Sequence, residues 1–456
     1  MGSLFSALSI AVGSLQAQQA GLQTTTNNIA NLNTTGYSRE RPVLQEADPI
    51  VRGNLAFGDG VTLTGIESLR DRILDAQVSD ELQHQAKSQS FIETMNQVQT
   101  LFPVDTSGIG ASISSFFESL NGMSANPSDS TLRQNVLSAA DSLASSFRDT
   151  ANQLVSQRQN LDLSLQQDVQ EVNQITKQIA DLNAKLAASA STDRNCGSYL
   201  DQRNQLVESL SGLIDLSAID SGNALTLTTR QGTALVVDGR SFDLDAALDP
   251  STGRQHIYSQ TSDITGQISG GKLGGLLQAR DQTIASTLGQ LDTLAGGLVS
   301  NLNAAHQLGF DLHGNPGGDL FTAVGGAGAA ASMAVAINDP SLIAASSDGS
   351  IGSNGNLANL SAVANQGIAD GKTATQAYSN VVFQVGTSIT NATAEATAST
   401  NALQQLQQQA DSVSGVSLDE EASNLMLYER AYQAAARAIS AVDQMMQTAI
   451  QMGANQ

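Results

Sequence analysis

Four groups of residues have types and spacings that could do chemistry. Gly367, Gly371, Lys372 and Thr373 resemble a phosphate-binding loop, in which backbone N–H groups and a lysine cradle the phosphates of a nucleotide. The stretch is one residue short between its glycines and no apolar strand leads into it, so we read it as a loop before a helix. Asp311, His313, Asn315 and Asp319 sit in a Gly/Pro-rich turn. A calcium loop needs regularly spaced oxygen ligands and a bidentate terminal glutamate. Here a histidine interrupts and the glutamate is missing, which leaves a structured turn. The histidines, His84, His256, His306 and His313, form neither an H-E-x-x-H pair nor a Cys/His cluster. His306 and His313 are seven apart, but Gly309 falls between them and ends the helix. No G-x-S-x-G and no G-x-G-x-x-G occurs. Cys196 lies beside Gly197 at a helix end, with Arg194 its nearest basic neighbour, and reads as an unreactive, half-exposed thiol. Met1 and Gly2 with Ser6 fit a myristoylation spacing, but the same residues already serve an amphipathic helix. The expectation is therefore no catalytic residue, no cofactor and no metal.

Composition narrows the class further. The 456 residues carry 21 Lys and Arg against 43 Asp and Glu, a net charge of −22. Nucleic-acid binding rests on basic side chains displacing counterions, so it is disfavoured, as is binding to an anionic membrane. Charged residues make up only 14%, against about 25% in an average soluble protein. Ser, Thr, Asn and Gln must supply the polar surface instead. The single cysteine excludes an intrachain disulfide, and no apolar run approaches the ~20 residues that span a bilayer. The first charged residue is Arg39, so the basic start of a Sec signal peptide is missing and any export uses another route.

With no chemistry to position, the elements themselves carry the information. Residues 1–38 are uncharged yet patterned: Leu8, Leu15, Leu22 and Ile29 stand seven apart, flanked by Leu4, Phe5 and Val12. That is a helix with one apolar seam, ending at the turn formers Asn31–Gly36. At the other end, Leu418, Leu425, Tyr432, Ile439 and Met446 are seven apart, with Tyr428, Ala435, Val442 and Ala449 offset by three, a coiled-coil seam. Ser417 and Glu420 are spaced as a capping box at its start. Three more long helices are predicted over 150–190, 275–308 and 376–414, the first with a heptad row interrupted only by Asp168. Residues 213–263 differ: Asn223–Thr229 alternates, Asp238 and Gly239 mark a hairpin between Thr233–Val237 and Arg240–Leu244, and Arg254–Ser259 reads as another strand. Gly325–Ala336 and 346–356 read as loops.

The predicted fold is mainly α: a long coiled-coil-like helical bundle built from both chain ends, with a small β-rich insertion. The predicted domains are 1–45 with 412–456 (terminal helical assembly), 46–212 with 264–411 (α-helical rod) and 213–263 (β insertion). An isolated helix barely repays its ordering entropy, so the charge-free ends are expected to become stably ordered when neighbouring copies cover them. The assembly surface predicted from these seams is Leu8, Val12, Leu15, Leu22, Ile29, Leu418, Leu425, Tyr428, Tyr432, Ile439, Val442 and Met446.

The turn after the first helix, with Asn28, Asn31, Gly36, Tyr37 and Arg39, resembles the N-terminal motif of bacterial flagellar rod, hook and hook-associated proteins. The C-terminal run from Ser414 to Glu421, then Tyr428 to Arg437, is similar to the hook-associated family that forms the first hook–filament junction. Internal matches are Phe116 and Phe117, Asn126–Asp129 with Arg133, Leu200–Leu206, and Gly309–Asp311 with Gly317–Phe321. The chain is short for that family, with an outer domain after 325 reduced to Gly/Ala linker.

The resemblance implies a structural, non-enzymatic subunit of the flagellum, extracellular and exported through the flagellar type III channel without a cleaved signal peptide. It implies terminal segments that are disordered in the free monomer and fold on stacking into a ring. Its implied partners are other copies of itself, hook protein, the second hook–filament junction protein, and a cytoplasmic export chaperone held by Leu425, Tyr428, Tyr432 and Ile439. Hook or distal-rod protein is the alternative within the class; the helical middle disfavours hook. Outside it stand a secreted coiled-coil effector or adhesin, which needs a receptor surface on the β module, and an enzyme borne on a filament subunit, which needs a catalytic cluster.

Overall fold

The computed structural model describes residues 2–52, 55–103, 107–190, 196–220 and 224–454; Met1, Arg194 and Asn223 fall outside them. The chain is mainly helical. In order it forms α1 (Gly2–Ala30), β1 (Glu40–Glu46), β2 (Ile50–Arg52), β3 (Leu55–Phe57), β4 (Val61–Ser68), α2 (Arg72–Gln99), α3 (Ile109–Met123), α4 (Ser130–Ala190) and α5 (Gly197–Leu213). Then come β5 (Ser217–Asp220), β6 (Leu225–Thr228), β7 (Ala234–Val237), β8 (Arg240–Ser241), β9 (Leu244–Asp249), β10 (Arg254–Ser259) and β11 (Ser262–Asp263). The rest is α6 (Gly271–Leu277), a π-helical turn (Gln278–Thr283), α7 (Ile284–Gln307), β12 (Phe321–Thr322), α8 (Ala329–Ser332), β13 (Ala334–Val335), α9 (Gly355–Ala362), α10 (Ala374–Ser414) and α11 (Leu418–Ala454). Two compact units result: Met1–Gln83 with Glu171–Leu244 and Ser399–Gln456, and His84–Gln170 with Asp245–Ala398.

In the first unit α1 packs on α11 and on the β1–β4 hairpin. That hairpin pairs antiparallel from Glu40↔Ser68 to Glu46↔Val61, with a bulge between Val43 and Leu44, and β2 pairs β3 beyond it. It was not anticipated from sequence. Strands β5 to β8 form a four-stranded antiparallel sheet whose last turn is the expected one, with Val237↔Arg240 around Asp238. Its apolar face is Leu225, Leu227, Leu235 and Val236, all buried, as are Val172, Ile179, Leu182 and Leu186 on α4. Asn183 of α4 holds the sheet, donating to the carbonyls of Leu225 (2.8 Å) and Asp238 (2.7 Å), and buried Arg203 donates to its Oδ1 at 3.3 Å.

The second unit is a helical core. Leu154, Leu161 and Leu165 of α4, drawn from its two heptad rows, and Ile284, Leu291 and Leu298 of α7 are buried. The interruption at Asp168 is a buried carboxylate paired with Lys272 Nζ at 2.7 Å. Phe116 packs edge-on against Phe117 and Phe321, centroids 5.4 and 5.7 Å apart, which brings two of the internal motifs together. Asp129 caps α4 through the N–H groups of Thr131 and Leu132, and Arg133 donates to the carbonyls of Ile343 (2.8 Å) and Pro340 (3.1 Å). Helix α4 begins at Ser130, not near 150, because residues 130–150 carry their own buried row of Val136, Leu143, Ala144 and Phe147. The expected 275–308 helix is broken by the π-helical turn, and the expected loops hold α8, β13 and the start of α9.

Candidate functional site

The residues singled out as chemical candidates are used structurally. Asp311 Oδ1 accepts from the N–H groups of His313 and Asn315, both at 2.8 Å, so the carboxylate closes its own turn. Lys372 sits in a tight turn: its N–H donates to the Ala369 carbonyl at 2.9 Å and its carbonyl accepts from Ile368 N–H at 2.8 Å. Asp370 and Gly371 there take φ of 51° and 73°. Those amides close a hairpin and do not form a phosphate cradle. His306 is fully buried: Nδ1 donates to the Gly318 carbonyl (2.7 Å) and Nε2 accepts from Ala344 N–H (2.9 Å). Cys196 is half-buried just before α5. Among the described residues no three His, Cys, Asp or Glu gather as a metal site, and no helix is long and apolar enough to cross a membrane.

The terminal helices form the surface of interest. On α11 the predicted seam turns toward α1: Ala435 and Val442 are buried, and Leu425, Tyr428, Tyr432, Ile439 and Met446 are half-buried, while Leu418 stays exposed. On α1 the buried face differs from the leucine row. It consists of Ala11, Ala17, Ala20, Gly21, Thr24, Thr25 and Asn28, while Leu8, Leu15, Leu22 and Ile29 are half-buried and Val12 is exposed. Small side chains let two helices approach closely. At Gly21 a Cβ would stand 2.7 Å from the Tyr428 ring, so that ring occupies the space a side chain would take.

At the end of α1 a polar latch fixes this pairing. Buried Asn28 spends both atoms of its amide. Oδ1 accepts from Tyr37 OH (2.8 Å) and Glu40 N–H (3.0 Å); Nδ2 donates to the Glu40 carbonyl (2.9 Å) and to Glu421 Oε2 (3.1 Å). An amide is the one side-chain group of this size with two donors and an acceptor. Arg39 joins from the other side, its guanidinium 2.7 Å from Glu421 and 2.6 Å from Glu420, and its N–H donates to the Ser414 carbonyl at 2.9 Å. The two glutamates thus serve Arg39 and Asn28. Burial, then the carboxylates of Glu40, Asp201 and Glu421, pushes the Tyr37 hydroxyl far above its ordinary value, so it remains a neutral donor.

The other motif residues shape the turn. Asn31 Nδ2 donates back to Asn27, and Asn31 Oδ1 accepts from Thr34 Oγ1 (3.1 Å). Gly36 takes φ of +75° and leaves room for the Gln205 side chain, whose Nε2 donates to the Thr35 carbonyl at 2.6 Å. Asp201 Oδ2 accepts from Ser38 N–H at 3.2 Å; burial raises its pKa, against the pull of that N–H and of Arg70. The latch therefore gathers Asn28, Tyr37 and Arg39, while Asn31 and Gly36 form the turn beside it. Sequence reasoning missed Gly21 and the pairing roles of Glu420, Glu421 and Asp201. A glycine inside an otherwise helical run was the available signal for the first.

Outside the pairing, both helices keep a second charge-free stripe. On α11, Leu427, Ala434 and Ala441 repeat by seven, as do Ala438, Met445 and Met452, and all six are exposed. On α1, Phe5, Ser9, Val12, Gln16, Gln19, Gln23, Thr26 and Ala30 step by four and three, all exposed and uncharged. Leu44 and Leu63, opposite each other on the hairpin, are also exposed.

Residues 95–321 match the family described as flagellar hook-associated protein FlgK helical domain. Residues 8–37 match the flagella basal body rod protein family, and residues 407–452 the C-terminal family of flagellar basal body rod FlgEFG proteins. The chain is 29% identical to flagellar hook-associated protein 1 of Bacillus subtilis, covering 99% of this chain and 98% of that protein. It is 28% identical to flagellar hook-associated protein 1 of Salmonella typhimurium over 68% of this chain, and the match spans only 58% of that protein's length. Its fold is shared with the flagellar hook junction protein FlgK from Burkholderia pseudomallei, with a TM-score of 0.69 at 18% identity over 74% of this chain and 100% of that one.

Paired terminal helices bearing rod-type family sequences, around a helical middle, define a flagellar rod, hook and hook-associated type of protein. The middle match is the specific one within that class: over residues 95–321 the chain is similar to the helical domain of flagellar hook-associated proteins, and its relatives of 28–29% identity are named flagellar hook-associated protein 1.

Proposed function

We propose that this chain is a structural subunit of the bacterial flagellum that forms the junction between hook and filament, self-associating through its terminal helices. The observation that carries the reading is the pair of uncharged outward stripes on α1 and α11, beside a latch that sets the register of the two helices. Burying uncharged helix faces costs no ion desolvation, whereas burying charged ones does. The partners are other copies of the chain in a ring, hook protein on one side and the second junction protein on the other. The subunit is extracellular, reached by type III export without a cleaved signal peptide, and no enzymatic role is assigned to it.

An export chaperone is proposed on Leu425, Tyr428, Tyr432 and Ile439. Those side chains face α1 here, so chaperone and α1 compete for one seam. The helical 95–321 segment favours the junction over hook or distal rod.

The test is genetic. Deleting the gene should leave hooks without filaments, with flagellin shed into the medium, and the intact gene should restore filaments. Normal filaments in the deletion strain would refute the reading.

A further inference from the structure

The second unit contains a cluster of three arginines for which assembly through the terminal helices has no use. Arg280, on the π-helical turn, is fully buried. Its Nε and Nη2 donate to the carboxylate of Asp281 (2.9 and 2.7 Å), and its Nη1 donates to Asp162 and to the Gln255 carbonyl (2.7 Å). Arg254 pairs with the same Asp281 at 3.1 Å, and Gln255 N–H donates to Asp162 at 3.3 Å. A π-helical turn inserts a residue into the helical repeat, a feature often found at functional sites.

Arg158 is the third arginine. Arg254 and Arg280 repel its charge while Asp281 and Asp162 attract it, and burial of the guanidinium lowers its pKa from the usual value. Its Nε and Nη2 are both shut off from solvent, and neither has a hydrogen-bond partner among the described residues. Gln255 Oε1, in the same cluster, is orphaned in the same way. Two guanidinium groups thus pair with two carboxylates while a third, that of Arg158, lies within their electrostatic reach, inside a chain whose net charge is −22. The Nε–Nη2 edge is the fork with which arginine grips both oxygens of a carboxylate or phosphate. Leaving such a fork buried and unpaired is unfavourable.

We propose that this cluster binds one small oxyanion, a free phosphate or a low-molecular-weight carboxylate, on the Nε–Nη2 edge of Arg158. Arg254 flanks the anion, and the Gln255 amide turns so that its NH2 donates. Amide orientation is set by such partners, so the orphaned oxygen and the unpaired fork are resolved together. The anion matches three positive charges with a third negative one. Access is from the side of Arg254 and Asp281, whose side chains are 32% and 30% exposed.

The test is thermal melting of the full chain in an oxyanion-free zwitterionic buffer at neutral pH. Sodium phosphate or sodium acetate is added at ionic strength matched with sodium chloride. Either oxyanion should raise the Tm saturably and chloride should not; the one with the lower half-saturation identifies the source. Arg158→Met should melt higher than the parent in oxyanion-free buffer, because an unpaired buried charge is gone, and should lose the oxyanion response. Equal effects of all salts overturn the proposal. So does an Arg158→Met protein that melts lower without oxyanion, or one that keeps the response. If Arg158→Met does not fold, Arg158→Lys, which keeps the charge but not the fork, should raise the half-saturation at least tenfold; an unchanged value refutes the site.

Discussion

Asn28 and Glu421 lie 393 residues apart in sequence and share a 3.1 Å hydrogen bond inside a buried polar latch. Because the other three hydrogen-bonding positions of Asn28 are also filled, the contact fixes the register of α1 against α11 and not merely their proximity.

Asn28→Asp should loosen the terminal helices. It replaces the donor facing Glu421 with a second carboxylate, and a buried uncompensated charge costs about 3–5 kcal/mol. Amide exchange should accelerate in α1 and α11 while α3 and α7 keep their protection. Unchanged exchange in α11 would show that the latch is dispensable.

Gly21→Val should unseat Tyr428. The added side chain falls where the ring lies, and overpacking of this kind costs about 1–3 kcal/mol. Combining it with Tyr428→Ala should recover part of the loss. A double-mutant cycle in urea checks the coupling, and additive effects would contradict direct packing.

His306 makes the second unit acid-sensitive. Burial lowers its pKa, against the pull of Gly318, Asp319 and Asp311. The neutral ring is therefore favoured in the fold, while the unfolded histidine takes a proton near pH 6.5. Stability from this residue is complete above that pH and is lost as the pH falls below it toward the folded value. His306→Asn should flatten the stability slope as the pH falls below about 6.5; a slope as steep as the parent's would assign the sensitivity to other groups.

Leu427→Asp with Met445→Asp should leave the monomer folded, since both side chains are exposed, yet stop self-association and filament attachment. Gln447→Asp, on the charged side of α11, should do neither. Electron microscopy of a complemented deletion strain reads the result, and a filamented Leu427→Asp/Met445→Asp strain would remove the stripe from the interface.

Much of the helical scaffold was legible, because buried helices must repeat their apolar residues. The α4 and α7 rows came out buried, and the break at Asp168 became an ion pair with Lys272. The α1 face that packs within the chain was not singled out, for a reason of size: periodicity draws the eye to leucines, whereas close helix approach selects Ala17, Ala20 and Gly21. The β1–β4 hairpin was invisible because its exposure does not alternate and its face mixes Val43, Leu44 and Leu63 with charged and hydroxyl residues. The latch joins positions hundreds of residues apart, and no local pattern announces such a pairing. Its motif residues, Glu421 among them, were legible only through resemblance.

The uncharged outward stripes also bear on solvent tolerance. Ions in solution weaken contacts between charges and leave uncharged ones largely alone. In the proposed assembly, dissolved salt would therefore quiet the mutual repulsion of free copies at −22 without loosening a joint made of glutamine, alanine and methionine, and the same coupling would hold in fresh and in briny surroundings.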